Sequence, residues 1–189
     1  MHPRIREITA YLETQRRALR LAVEAVPPAL RARRPAPEAW SVAEVVEHVG
    51  LVETAVAGLF GQALAEARAK GLGREEATGS ILTTLDVARV ADRSRPIEAA
   101  ESGRPHGGVE ADAAWQRLDD LRAGTLAALH EADGLALAEV AVPHRILGTL
   151  DLYQWMVFLG AHEARHTAQI QAIHAALAAA PSGSGAMNT

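Results

Sequence analysis

Four long stretches of this sequence place apolar residues every three or four positions, the spacing that lines one face of an α-helix. In the first, Ile5, Ile8, Leu12, Leu19, Val23 and Val26 are interleaved with Arg6, Glu13, Arg17, Arg20 and Glu24. It reads as an amphipathic helix from about Pro3 to Val26, ended by Pro27-Pro28. A proline-rich connector to Pro37 leads to a second helix with a specific start signal. Ser41-Val-Ala-Glu44 has the form of a capping box, and Trp40 before it is placed to staple onto Val45. That helix runs to about Ala69, with Val45, Val49, Val52, Val56, Leu59, Phe60 and Ala63 inward. A third covers Ala111 to Glu131 on Trp115, Leu118, Leu121, Thr125 and Leu129. The fourth is read from Thr149, as its N-cap with Asp151 in the first turn, to about Ala180.

The segment from Lys70 to Glu110 is broken by Gly71, Gly73, Gly79, Pro96, Gly103, Pro105, Gly107 and Gly108, and only Ser80 to Ala91 has room for a short helix. A connection of this length is usually functional. A second connector, Gly134 to Gly148, contains Pro143-His144. The order predicts an all-α fold, a four-helix bundle whose one long crossover joins the second and third helices. One domain is expected over residues 1–180, with a flexible tail, Pro181-Ser-Gly-Ser-Gly onward, over 181–189. Composition agrees: the chain is 49% hydrophobic but only 4% aromatic, and a core of Ala and Leu favours close-packed helices over a sheet.

Several function classes drop out early. The formal net charge of -4 leaves no basic excess to neutralise phosphates, so no nucleic-acid partner is expected. No membrane partner is expected either, because apolar runs such as Trp155 to Ala161 fall far short of the roughly 20 residues that span a bilayer. The chain has no cysteine, which removes disulfides, thiolate ligands and cysteine nucleophiles together. Its first residues carry charges throughout and lack the apolar stretch of a secretory signal, so a cytoplasmic location is expected. No nucleophile elbow, phosphate loop or dinucleotide fingerprint is present.

What does suggest chemistry is His162-Glu-Ala-Arg-His166 in the fourth helix. Residues four apart on a helix lie about 40° apart, so both imidazoles can face one ion. The inward seam runs Trp155, Leu159, His162, His166, Gln169 or Ile170, and Ile173, so the histidines stand where core residues are expected. Two buried imidazoles need partners, either hydrogen bonds or a shared divalent cation. His48 lies three residues after Val45 and four before Val52, on the inner face of the second helix. Three histidines leave the fourth tetrahedral position to water or substrate, as in catalytic zinc sites. Nickel or iron would also accept three imidazoles.

Gln169 and His144 are secondary catalytic candidates, the first to orient a ligand or water, the second as a proton shuttle at the mouth of the site. Glu163 and Arg165 flank the seam and are expected in solvent or paired with a neighbouring helix. His106 reads as a loop histidine, His130 and His174 as cations near helix C-termini, and Trp115 and Trp155 as core. His162-Glu163-x-x-His166 also satisfies the zinc-protease pattern H-E-x-x-H. That pattern demands a downstream third ligand, for which His174 is the nearest histidine, and a Glu163 that faces the ion; an inward His48 leaves it little room.

Trp40-Ser41-Val42, His48 and Glu53, then Leu150-Asp-Leu-Tyr-Gln-Trp155 running into His162-Glu-Ala-Arg-His166-Thr-Ala-Gln169-Ile170, resemble the DinB-like superfamily, the DinB/YfiT-like metalloenzymes. The resemblance extends from about Ile5 to Leu177 and is most specific in its last motif. It implies a four-helix bundle, usually a homodimer, with a divalent metal, zinc or nickel foremost, on His48, His162 and His166. Many members carry a further histidine just before the last ligand; here that position is Arg165, which leaves the triad intact and bears on the entrance to the site. Relatives include S-transferases that use low-molecular-weight thiols such as bacillithiol or mycothiol, and a mycothiol-dependent maleylpyruvate isomerase. The resemblance therefore implies a metal-dependent enzyme that activates an external thiol cosubstrate, or water, against a small-molecule substrate. The alternative is a non-catalytic metal-binding dimeric bundle acting in stress response or protein interaction.

Overall fold

A computed structural model describes residues 1–94 and 97–179, so the tail expected at 181–189 lies outside the described residues. Helix α1 (Pro3–Glu24) starts behind His2, whose Nδ1 accepts from the Arg4 amide at 3.3 Å, with Pro3 in the first turn where no donor is needed. Helix α2 (Val42–Ala69) begins on the expected capping box. The Glu44 amide donates to Ser41 Oγ at 3.2 Å, and the Ser41 amide donates to Glu44 Oε2 at 2.8 Å. Among the described residues of the long crossover only α3 (Val87–Ala91) and a 3-10 turn at Glu101–Gly103 are helical, a shorter piece than the expected Ser80 to Ala91. Asp86 explains the later start, since its carboxylate caps the Arg89 amide at 3.0 Å.

Helix α4 (Ala111–Glu131) has the predicted bounds. The connector after it holds an antiparallel hairpin, β1 (Ala141–His144) with β2 (Gly148–Asp151), in the register Val142 opposite Leu150 and Pro143 opposite Thr149. Four residues are too few to show a period, but the Val142 and Leu150 pair joins the core and fixes which face turns inward. Thr149 is therefore a strand residue and not the N-cap. Helix α5 (Leu152–Ala179) starts instead behind Asp151. The Gln154 amide donates to Asp151 Oδ1 at 2.8 Å and the Asp151 amide to Gln154 Oε1 at 2.9 Å, a reciprocal cap of the same type as on α2.

Helix α1 packs along α5 and α2 along α4, and α2 also meets α5, which closes a four-helix bundle. Its core is two apolar clusters. One holds Ile8, Leu12, Val56, Phe60, Leu129 and Leu159; the other holds Leu19, Val23, Val49, Leu118, Ile170 and Ile173. Each long helix places one charged residue between them: Arg16, Glu53, Arg122 and Glu163, all buried. Arg16 Nη2 meets Glu53 at 2.5 Å and Glu163 at 2.7 Å, while Arg122 donates from Nε to Glu53 at 2.8 Å and from Nη2 to Glu163 at 3.0 Å. Two guanidinium groups against two carboxylates make this layer neutral, the condition under which charges survive burial. Among the described residues no helix is long and apolar enough to cross a membrane.

Candidate metal centre

Three imidazoles meet where α2 faces α5, at the level of this charged layer. His162 Nε2 lies 3.2 Å from His48 Nε2 and 3.1 Å from His166 Nε2. The three rings are buried and offer one potential ligand atom each, all within 4.8 Å of one another.

Hydrogen bonds on the far side of two rings fix which nitrogen is bare. His48 Nδ1 is 2.5 Å from the carbonyl of Gly103, in the 3-10 turn of the crossover. A carbonyl only accepts, so Nδ1 carries the hydrogen and Nε2 presents a lone pair. His166 Nδ1 donates to Gln169 Oε1 at 2.8 Å and leaves its Nε2 in the same state. His162 Nδ1 is buried with no hydrogen-bond partner. Burial also holds the rings neutral. It lowers His48, presses His166 down to about 3 with help from His48, and drives His162 well below the ordinary histidine range.

A neutral His162 can donate from Nε2 to only one of its two neighbours, which strands the other lone pair and its own Nδ1. With the hydrogen on Nδ1, three lone pairs face one another. A cation between them resolves the conflict, and the spacing suits one. A tetrahedral divalent ion bound at about 2.0–2.1 Å sets its nitrogens roughly 3.3 Å apart. The donor set, three neutral imidazoles, fits zinc or nickel.

The triad forms part of the wall of a cavity of about 890 Å³, which Trp40, Val52, Trp155 and Phe158 also border. The ring of Trp40 lies 4.9 Å from that of His48, and Phe158 lies 5.7 Å from His162. His144 borders the same cavity, packed 4.6 Å from Phe158 and 5.0 Å from Trp155. Its Nδ1 accepts from the amides of Ile146 and Leu147, both at 3.1 Å, so in the neutral ring, favoured by burial, the hydrogen sits on Nε2. Arg165 is half-buried at the cavity wall and donates to the backbone carbonyl of Asp92. His106 lies elsewhere, exposed and against Glu47 at 3.2 Å, and neither His130 nor His174 borders the cavity. Trp115 donates to Asp119 at 2.9 Å, and Trp155 is both core and cavity wall.

The DinB superfamily profile matches residues 11–170, which include all three histidines. The chain belongs to the DinB superfamily. The uncharacterized protein YuaE of Bacillus subtilis (strain 168) is 26% identical over 145 residues, 75% of this chain and 81% of that one. The crystal structure of TT2238, a four-helix bundle protein, shares the fold at a TM-score of 0.59 and 22% identity, over 89% of this chain and 98% of that chain.

In this DinB chain Glu163 takes the second of its two expected places, paired with neighbouring helices: it is fully buried, and its Oε1 meets Arg16 and Arg122. The protease reading of H-E-x-x-H fails on the same observation, because that glutamate is turned away from the histidines and the third imidazole is His48, upstream on another helix. Sequence reasoning also missed Arg16, Arg122 and the Gly103 carbonyl. The first two had a signal: Arg16 fills the gap between Leu12 and Leu19, and Arg122 stands four residues after Leu118, so each occupies the apolar stripe. Gly103 had none, since a backbone acceptor 55 residues from His48 leaves no trace in residue type.

Proposed function

We propose that this DinB-family protein is a metal-dependent enzyme in which the Nε2 atoms of His48, His162 and His166 hold one divalent ion, zinc or nickel. The observation that carries the reading is the convergence of three imidazole Nε2 atoms, two of them kept bare by Nδ1 hydrogen bonds, in a site where burial disfavours protonation. When bound, such an ion supplies Lewis-acid chemistry that lowers the pKa of a thiol or a water molecule. The chain has no cysteine, so in the S-transferase form of the reaction the sulfur comes from an external low-molecular-weight thiol; with water the same site is a hydrolase. His48 is oriented by Gly103 and His166 by Gln169. Trp155 and Phe158 keep water from one wall of the cavity, and His144 offers an Nε2–H to an oxygen of the substrate.

A second reading, a metal-binding dimeric bundle without catalysis, draws on Glu163. The carboxylate that adjoins the ligands in sequence is committed to two arginines and is not placed as a general base.

Elemental analysis of the untagged protein tests the common core of both: about one ion per chain is expected of a mononuclear site, and its loss in His48→Ala. Absence of any ion after loading with zinc or nickel sinks both. Turnover of monochlorobimane with added thiols, abolished in His162→Ala, supports the enzyme; a retained ion with no turnover across several thiols favours the second reading.

A further inference from the structure

The cavity over the three histidines has apolar walls and a cationic border. Among the described residues, Arg89, Arg93, Arg145 and Arg165 border it against Glu38 and Glu98, a positive excess in a chain whose net charge is -4. How each guanidinium is held decides whether its charge is spent. Arg93 Nη1 donates to the carbonyl of Ala168 at 2.8 Å, and Arg145 Nη2 donates to the carbonyl of Glu98 at 2.9 Å. A carbonyl fixes a guanidinium in place without cancelling its charge, whereas a carboxylate does both.

Two of the nearby acids, Glu98 and Asp92, are occupied. The Glu98 carboxylate takes Arg104. The Asp92 carboxylate accepts from the Ser94 amide and hydroxyl, both at 2.8 Å, and its charge offsets that of Arg165. Arg93 and Arg145 are thus positioned by carbonyls with no carboxylate bonded to either among the described residues, one on the crossover and one in the hairpin turn. On the same cavity Trp155 and Phe158 form an edge-to-face wall with centroids 5.8 Å apart. A volume of about 890 Å³ suits a molecule of drug size.

We propose that this cavity selects an organic carboxylate with an apolar, aromatic-sized body, its acid group taken by the guanidinium of Arg93 or of Arg145 and its body laid against Trp155 and Phe158. Guanidinium forks match carboxylates in geometry as well as charge. The inference rests on the reading of this cavity as the substrate site, and it names the class of molecule admitted there.

Isothermal titration calorimetry of the full chain with 2-naphthoate and 2-naphthamide tests it, because the two probes share the ring system and size and only the first carries a charged, acceptor-only head group. The naphthoate is expected to bind on the order of tenfold more tightly, the scale of a charge-assisted hydrogen-bond pair. In Arg93→Gln/Arg145→Gln that preference disappears while naphthamide affinity stays, which also reports an intact fold. Chelator-treated protein and His48→Ala keep the preference. Equal affinity of the wild type for both probes overturns the proposal, as does binding of neither. A preference that survives both glutamines but vanishes on chelation also overturns it, because an ion then holds the carboxylate. A protein that retains no ion yet keeps an arginine-dependent preference supports the proposal and sinks only the metal reading.

Discussion

His162 and Glu163 are neighbours in the chain, yet they serve two separate polar sites. His162 Nε2 turns toward His48 and His166, while Glu163 Oε1 accepts from Arg16 Nε at 2.8 Å and Arg122 Nη2 at 3.0 Å. One residue step on a helix is about 100°, enough to send adjacent side chains to different neighbours. Because Glu163 is tied to α1 and α4, the rotation of α5 about its axis is set, and with it the direction of both of its histidines. Structural charge and candidate chemistry therefore share one turn.

Arg122 bridges the Glu53 and Glu163 carboxylates, and its loss leaves the two charges one guanidinium, that of Arg16, with the Thr125 hydroxyl still donating to Glu53. Arg122→Leu is expected to destabilise the fold by about 3–5 kcal/mol, the usual cost of removing one partner from a buried ion pair. Urea unfolding at neutral pH measures it. A loss under about 1 kcal/mol would mean that the layer is solvated and not a closed network. Arg122→Lys does not restore wild-type stability, since a lysine cannot reproduce the fork that reaches Glu53, Glu163 and the Leu12 carbonyl together.

Gln169 gives His166 Nδ1 its acceptor at 2.8 Å. Gln169→Leu keeps the size but removes the acceptor, so ring orientation and basicity both suffer. Under the proposed metal assignment, the dissociation constant should rise about 10–100-fold, as is typical when a histidine ligand loses its outer partner. Competition against a chromophoric chelator gives the value directly. An affinity equal to wild type would show that His166 is oriented by packing alone.

The bundle was legible because its signals are local. Helix starts at Ser41 and ends at Pro27 are written in residue type, and the stripes of α1 and α2 follow a period that any short window contains. The facing of His48 followed from the stripe of α2, and that of His162 and His166 from the corresponding seam of α5. The hairpin was not legible, because Val142 and Leu150 acquire a common face only once the chain has folded back. Which of its two expected places Glu163 takes was not legible for a related reason. A charged residue beside a seam is normally solvated, and only the arginines of α1 and α4, distant in sequence, make its burial tolerable. The hold of Gly103 on His48 is likewise a long-range backbone contact.

Gly160 has no side chain because Tyr11 occupies the space. A Cβ there would stand 2.3 Å from Tyr11 Cε1 and 2.9 Å from Cδ1, far inside van der Waals contact. Gly160→Ala should therefore cost about 1–3 kcal/mol through overpacking between α1 and α5, despite the better helix propensity of alanine. In a Tyr11→Ala background the penalty should disappear, so a double-mutant cycle by urea unfolding isolates the clash. Additive effects of the two substitutions would place the cost of the alanine elsewhere.

The chain contains two tyrosines, and the fold raises the pKa of both. Burial pushes the Tyr11 phenol up from 10.0 to about 12, and the charge of Glu163 adds to it. Burial likewise raises Tyr153, with Glu75 contributing. A phenol that holds its proton more tightly when folded stabilises the protein fully below its unfolded pKa of about 10. That contribution is lost as pH climbs from there through the folded value. Phenolate absorbance in the folded protein should consequently stay near its neutral-pH level just above pH 10, then rise toward pH 12 as Tyr11 ionises or the fold gives way. In concentrated urea both tyrosines should titrate near 10. Ionisation of either near 10 in the folded protein would mean that its hydroxyl reaches solvent, and for Tyr11 that the ring does not fill the space over Gly160.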